Sequence, residues 1–396
     1  MLINRKLIWG LILLVIIVNG IGVFEPLLRN DDPVLYANIA KHMAVSGDWI
    51  GLFSAGQPWL DKPHFPFWIS AFSFKIFGIN AFAYFLPGYL FHLLGAYYTY
   101  RLAKLLYNAE VGLIALLIYL SSVHLMLSGS FDVRAEAYLL GQIMPACYYW
   151  LLYDRSSSWK PLVLASFFTA LAMMTKGLFV VVTIFSGLVF TWIYTKQYAR
   201  IISPKWLLAY ALSLLFILPE LICLYLQFDA QPATMVFGHK NISGLSWYFW
   251  GSQFGRFFNS GPIVNTHGNP LFFVHTYLWA FLPWSLVFIA ASYMAIRHFK
   301  ANTAVDKAKL VYLLASFWLT FIMFSATKFQ LDHYTNIIMP FAAILCASYL
   351  NRQFELKRIA QFQFGLSCLI LLLNVGITLY LFNSSWLILF ALVPGS

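Results

Sequence analysis

Residues 29–63 read RNDDPVLYANIAKHMAVSGDWIGLFSAGQPWLDKP. The segment opens on Asp31-Asp32, closes on Asp61-Lys62-Pro63, and stands between long apolar runs. Those runs set the class. Hydrophobic residues fill 61% of the 396 positions and charged residues only 10%, which gives many runs long enough to cross a bilayer and too little polar surface to dissolve. Acids and a lysine placed between such runs are expensive to keep, and charge in that setting marks a site.

The run Leu7 to Phe24 follows Arg5 and Lys6 and has no small-residue cleavage site after it, so it reads as a retained helix rather than a removed signal. Further apolar runs start near 80, 109, 137, 161, 177, 206, 270, 310, 334 and 361. Together these predict an all-α polytopic membrane protein of about eleven spans, in a single domain over 1–396. Between Pro161 and Thr195 only Lys176-Gly177 interrupts the run, which fits a tight reversal.

Charge sets the orientation. With the N-terminus cytoplasmic, 16 of the 25 basic residues fall in short loops on its side, while Glu25, Asp31, Asp32, Asp48, Asp61, Asp132, Glu136, Asp229 and Asp332 gather on the other. The net charge of +11 is largely this bias, so no nucleic-acid partner is inferred from it. Two outer segments, about 25–78 and 227–269, are too long for simple turns and are expected to be functional. Cys147, Cys223, Cys346 and Cys368 lie in apolar runs without paired spacing, so they read as packing residues.

Within the first outer segment, Asp32 is placed as a helix N-cap with Pro33 at the first helical position. Val34, Leu35, Ile39 and Met43 recur at helical spacing, which predicts a short helix lying along the membrane surface as far as Val45. Ser46-Gly47-Asp48-Trp49 ends it, and an aromatic stretch through Phe65, Phe67, Trp68 and Phe72 follows Asp61-Lys62-Pro63. Taken alone, Asp32 reads as a helix cap and nothing more.

The arrangement Asp32, Tyr36, Ala37, Met43, Gly47-Asp48-Trp49 and Lys62-Pro63 resembles the first periplasmic loop of glycosyltransferase family 39 and the aminoarabinose-transferase group, membrane enzymes of the GT-C superfamily that use polyprenyl-phosphate sugars. The resemblance runs from about residue 24 to 345. Asp132-Val133-Arg134-Ala135-Glu136 matches a family acid with a nearby Arg, Met174-Thr175-Lys176-Gly177 its Thr-Lys-Gly turn, and Leu282-Pro283-Trp284-Ser285 its Pro-Trp motif. Phe324-Ser325-Ala326-Thr327-Lys328, followed by His333-Tyr334 and Pro340, resembles its Ser-x-x-Lys…Tyr…Pro segment. It is the order and spacing of these motifs that carry the resemblance.

The resemblance implies a GT-C-like helical bundle in a bacterial inner membrane, with its site facing the periplasm. It implies an inverting transfer of sugar from polyprenyl phosphate to lipid A, another envelope glycan or a protein. Asp32, or its neighbour Asp31, would be the catalytic acid; Lys62, Arg134, Lys176 and Lys328 would hold the donor phosphate; Tyr36, Asp61, Asp132, Glu136, His333 and Tyr334 would complete the site. A divalent metal ion is implied by Asp61 with histidines of the second loop, of which His267 and His275 are candidates, although no His-x-x-x-His spacing supports it. Pro33 departs from the family, which often has Glu after the leading Asp. The chain also stops at Ser396, where aminoarabinose transferases continue into a soluble domain, so no such domain is expected here.

Each motif also has a plain structural reading. Arg134 and Glu136 fit an ion pair at a helix end, Lys176 fits a lysine reaching the interface, Pro283-Trp284 fits a kink with an interfacial anchor, and Lys328 and His333 fit ordinary boundary residues. A transporter or flippase of a lipid-linked sugar is the rival function, since intramembrane charge marks transport paths as well. Against it, the polar residues collect on one face and no inverted repeat is found. A purely structural membrane subunit would not require Asp32 and Lys62 together.

Overall fold

Helix breakers decide where this apolar chain turns. In the computed structural model, which describes residues 5–28, 31–265 and 268–352, helices α1 (Arg5–Ile21), α2 (Asp31–Ser46), α3 (Phe65–Phe77), α4 (Ala81–Leu106) and α5 (Ala109–Leu120) come first. They are followed by α6 (Val123–Met126), α7 (Ala135–Ser156), α8 (Trp159–Lys176), α9 (Val180–Tyr194), α10 (Pro204–Phe216) and α11 (Leu218–Leu224). The last are α12 (Gly244–Ser246), α13 (Ser252–Phe258), α14 (Phe272–Ala280), α15 (Ser285–Arg297), α16 (Ala304–Ala326) and α17 (Met339–Arg352). Asn80 and Asn108 cap α4 and α5 by accepting backbone N–H bonds at 2.9 Å, and Thr303 caps α16 at 3.1 Å. The fold is that of a multi-pass, all-helical membrane protein.

Three expected spans are bent. The run from 109 turns by 69° at Ser121-Ser122, where both hydroxyls donate to carbonyls one turn back, at 2.6 and 2.7 Å. Pro219 accompanies a 42° bend between α10 and the helix that continues it, because proline has no N–H to give the preceding turn. The run from 270 forms a V of 115°, broken between Ala280 and Ser285 where Pro283 sits. Taken singly, Arg5–Phe24 and α16 are long and apolar enough to cross a membrane, and the bent pairs raise the number to five among the described residues. Length and apolarity undercount here, since α7 is packed by α4 and α8 along its length and carries buried Glu136 and Gln142. The expected eleventh span, from 361, lies outside the described residues, as does Cys368.

The core forms around α7, with α4 and α8 against it, α9 against α16, and α17 against α5. Several polar groups inside it are paired: Thr175 Oγ1 donates to Gln142 at 2.9 Å, Trp150 Nε1 to Thr169 at 2.9 Å, and Thr320 to Thr183 at 3.0 Å. Cys147, Cys223 and Cys346 are buried free thiols, as packing residues should be.

The first outer segment packs as a cap on this bundle. Helix α2 begins at Asp31, not after Asp32, so the capping role expected for Asp32 is not what the structure shows, and both acids lie in the first turn. Pro33 is accommodated there because the first four N–H groups of a helix have no partner within it. Gly47 ends α2 at φ +75° with its N–H on the Met43 carbonyl. Ala55 and Gly56, at φ +50° and +75°, form the tight turn of a two-stranded hairpin, β1 (Phe53–Ser54) and β2 (Gln57–Pro58).

Candidate functional site

Alternate residues of α2 face different media. Asp31 is exposed, whereas Asp32 is half-buried and turned toward the bundle, with Oδ2 3.2 Å from an Arg134 terminal nitrogen. Arg134 stands at the N-cap position of α7, where its guanidinium has no acceptor to cap the helix and instead reaches the acids of the site. Its Nε donates to both oxygens of Asp132, at 3.1 and 3.0 Å, and a terminal nitrogen lies 3.3 Å from His333 Nδ1. One cation is thus shared by two acids, Asp32 and Asp132. His333 also contacts Asp332 through Nδ1 at 3.1 Å and approaches Glu136 at 3.7 Å through Nε2. Burial pulls the His333 pKa down to about 3, so its ring is neutral at ordinary pH.

The loop after the hairpin supplies the opposite arrangement. Asp61 accepts from Lys62 at 2.6 Å through one oxygen and pairs with Arg256 through the other. Here one acid is shared by two cations. Burial raises the Asp61 pKa, but Lys62 and then Arg256 overcome it and leave the carboxyl below its usual range. Burial lowers the Lys62 pKa, and the nearby Arg256 charge lowers it further.

Lys176, the last residue of α8, pairs with Glu136 and lies 4.3 Å over the Tyr334 ring. Both partners are buried, at 5% and 1% side-chain exposure. Gly177, at φ +94°, makes the reversal that leaves the lysine at the helix end. Beside Lys176 and Arg256 opens a cavity of about 150 Å³ walled by Phe179, Phe254, Phe324 and Phe329. Tyr36 is buried against Phe67 and Trp59, within electrostatic reach of both Asp32 and Asp61.

Most of the expected site residues therefore meet: Asp32, Tyr36, Asp61, Lys62, Asp132, Arg134, Glu136, Lys176, His333 and Tyr334. Three stand exposed instead: Asp31, Lys328 and His275. Lys328 is exposed because the extended chain after α16 turns Phe329 inward and its neighbour outward. His275 is exposed against Phe272, and His267 lies outside the described residues. Among the described residues no group of three or more His, Cys, Asp or Glu side chains fits a metal ion, and both Asp61 oxygens already face cations. Sequence reading missed Arg256. Its signal was its place in the second outer segment, a basic residue on the acid-rich face. The Lys328 segment holds it by backbone, with Lys328 N–H on the Phe257 carbonyl at 2.9 Å and Phe329 N–H on the Arg256 carbonyl at 3.3 Å.

Residues 61–223 match the family described as dolichyl-phosphate-mannose-protein mannosyltransferase. The undecaprenyl phosphate-alpha-4-amino-4-deoxy-L-arabinose arabinosyl transferase 2 of Proteus mirabilis is 28% identical, over 84% of this chain and 57% of that protein. The corresponding transferase of Edwardsiella ictaluri is 25% identical, over 82% and 56%. The chain thus spans little more than half the length of these relatives. Among solved structures, ArnT from Cupriavidus metallidurans bound to undecaprenyl phosphate superposes with a TM-score of 0.73 at 18% identity, covering 88% of this chain and 61% of that one. The Archaeoglobus fulgidus oligosaccharyltransferase gives 0.63 at 13% identity, covering 93% and 55%. The chain therefore shares the fold of these membrane proteins and is similar in sequence to the aminoarabinose transferases.

Proposed function

We propose that this protein transfers a sugar from a polyprenyl phosphate to an envelope acceptor, with inversion at the anomeric carbon. The observation that carries the reading is the pairing of unequal charge: two cations on Asp61 beside an apolar cavity, and two acids on Arg134 a short distance away. A polyprenyl-phosphate sugar has the complementary polarity. Its phosphate gains negative charge as the anomeric C–O bond breaks and the electron pair leaves with the phosphate oxygen, while its sugar passes through an oxocarbenium-like state.

Lys62, Arg256 and Lys176 receive the phosphate, and the aromatic cavity receives the first part of the prenyl chain. Asp32 faces the sugar and the acceptor, held in place by Arg134. With a hydroxyl acceptor Asp32 takes the proton as the new C–O bond forms on the opposite face; with a phosphate acceptor, already ionised, it orients and stabilises charge. Relatives named as arabinosyl transferases of undecaprenyl phosphate-linked aminoarabinose support this donor class.

The setting belongs to the same reading: a bacterial inner membrane with the site on the periplasmic side, as the positive-inside bias indicates. Cysteines at exposed Gln57 and Ser260 should react with a membrane-impermeant thiol reagent in outer-membrane-permeabilised cells, and one at exposed Ser157 should not until lysis. The reverse pattern overturns the orientation. Function is tested by incubating purified protein in detergent with an undecaprenyl-phosphate sugar and envelope lipid, then reading transfer by mass spectrometry. Detergent removes the second leaflet, so transfer supports an enzyme, and donor binding without transfer under any acceptor favours a flippase.

A further inference from the structure

Glu220 is fully buried in the first turn of α11, after Pro219, in a run otherwise made of Phe, Ile and Leu. A carboxylate there costs several kcal/mol unless it is paired and hydrogen-bonded. Both its oxygens go to one residue of the first outer loop. Oε2 accepts the His64 backbone N–H at 2.9 Å, and Oε1 lies 3.0 Å from His64 Nδ1. The other ring nitrogen, Nε2, is 2.8 Å from the Ile50 carbonyl oxygen.

Further along the helical segment that continues α11, Gln227 holds the loop again. Its Oε1 accepts the Leu52 N–H at 3.0 Å and its Nε2 donates to the Leu52 carbonyl at 2.9 Å. Residues 50, 52 and 64 are thus fastened to one helical segment. Lys62 is two residues from the N–H that Glu220 holds, and Pro63 between them has a fixed φ, so displacement of the clasp passes to Lys62 with little slack.

Both ring nitrogens of His64 face oxygen acceptors, while a neutral imidazole carries one N–H. Both contacts are donated at once only when the ring is an imidazolium, with a proton on each nitrogen. Burial opposes charge on His64, but the Glu220 carboxylate together with the Ile50 carbonyl and Asp48 more than offsets it, and the His64 pKa is raised above its ordinary value. The other titratable groups around the pair are Asp48, Cys223 and Tyr248, with the Trp68 ring 5.3 Å from the imidazole.

We propose that Glu220 and His64 are positioning residues for the donor site, a buried clasp that holds the Asp61-Lys62-Pro63 turn where the Lys62 ammonium meets the donor phosphate. The proposal rests on the donor-site reading above. When the His64 ring loses a proton as pH rises through its raised pKa, a lone pair faces an oxygen and the turn loosens.

Glu220→Gln makes the test sharp. Its amide oxygen accepts the His64 N–H and its amide nitrogen donates to Nδ1 of a neutral imidazole whose Nε2–H stays on Ile50, so the full bonding pattern is kept without a titrating pair. Affinity for undecaprenyl phosphate is measured on full-length protein in detergent, from about pH 6 to about pH 10, for wild type, Lys62→Ala, Glu220→Ala and Glu220→Gln. Lys62→Ala and Glu220→Ala should each weaken binding roughly tenfold or more at neutral pH. Glu220→Gln should keep neutral affinity and lose less of it on the alkaline side than wild type; lysines titrate in both, so the difference isolates the clasp. Wild-type affinity in Glu220→Ala alongside lost affinity in Lys62→Ala overturns the clasp alone. Undiminished binding in Lys62→Ala overturns the donor-site reading beneath it. Should Glu220→Ala not fold, Glu220→Gln decides: matching alkaline profiles overturn the proposal.

Discussion

Two clusters of the same residue types, the Asp61 cluster and the Asp32 cluster, carry opposite charge. Around Asp61 one acid meets Lys62 and Arg256; around Arg134 one cation meets Asp32 and Asp132. Counting each ionised group once, the first sums to +1 (two cations, one acid) and the second to −1 (one cation, two acids). Exposure differs too. Side chains of the first cluster are 14–20% exposed, while Asp32 is 38% exposed. A dehydrated positive cluster beside an aromatic cavity suits a lipid phosphate, and a more open negative one suits an arriving acceptor and a departing proton. Ion pairs in themselves teach little here; their stoichiometry does.

The largest expected effect lies in the acidic cluster. Asp32→Asn should cut transfer about a hundredfold or more, some 2.7 kcal/mol of barrier, while leaving donor affinity within a few-fold, as steady-state transfer and donor competition would show. An active Asp32→Asn beside an inactive Asp31→Asn would move the acid by one residue, against the exposure of Asp31.

The basic cluster should respond in binding instead. Lys62→Ala is expected to weaken polyprenyl-phosphate competition roughly tenfold or more with thermal stability nearly unchanged, well beyond the effect of an exposed pair, typically under about 1 kcal/mol. Lys62→Arg should restore only part, since a planar guanidinium does not replace a compact ammonium. Loss of transfer with intact donor binding would erase the division of labour between the clusters.

Arg256→Ala should weaken donor binding several-fold and also shift its pH dependence. Burial and Arg256 both hold the Lys62 pKa below the ordinary lysine value, so wild-type affinity should fall as pH rises through that lowered value. Removing Arg256 relieves the repulsion, and the fall should move to higher pH. An unmoved alkaline limb would separate the two cations.

Lys328→Ala should change least, within about twofold, because its side chain is exposed and an exposed charge contributes little. A large loss in donor affinity would show that the exposed lysine reaches the donor headgroup, and would enlarge the positive cluster beyond Asp61.

Composition and apolar runs were enough to indicate a helical membrane protein, because bilayer thickness and the cost of buried charge act on any apolar run without regard to its partners, and the charge bias supplied the orientation proposed for it. The first loop was also readable: Asp32, Tyr36, Asp61 and Lys62 sit in one local pattern whose spacing survives folding. What the sequence could not show was which distant side chain completes each pair. Arg256 meets Asp61 across 195 positions and Glu220 meets His64 across 156, and no local periodicity encodes either contact. Lys328 shows the converse, since it sits in a matching motif yet one step along an extended chain turns it outward. The sign of each cluster is tertiary for the same reason: it depends on how many partners share one carboxylate or one guanidinium, and that sharing is decided by helix packing alone.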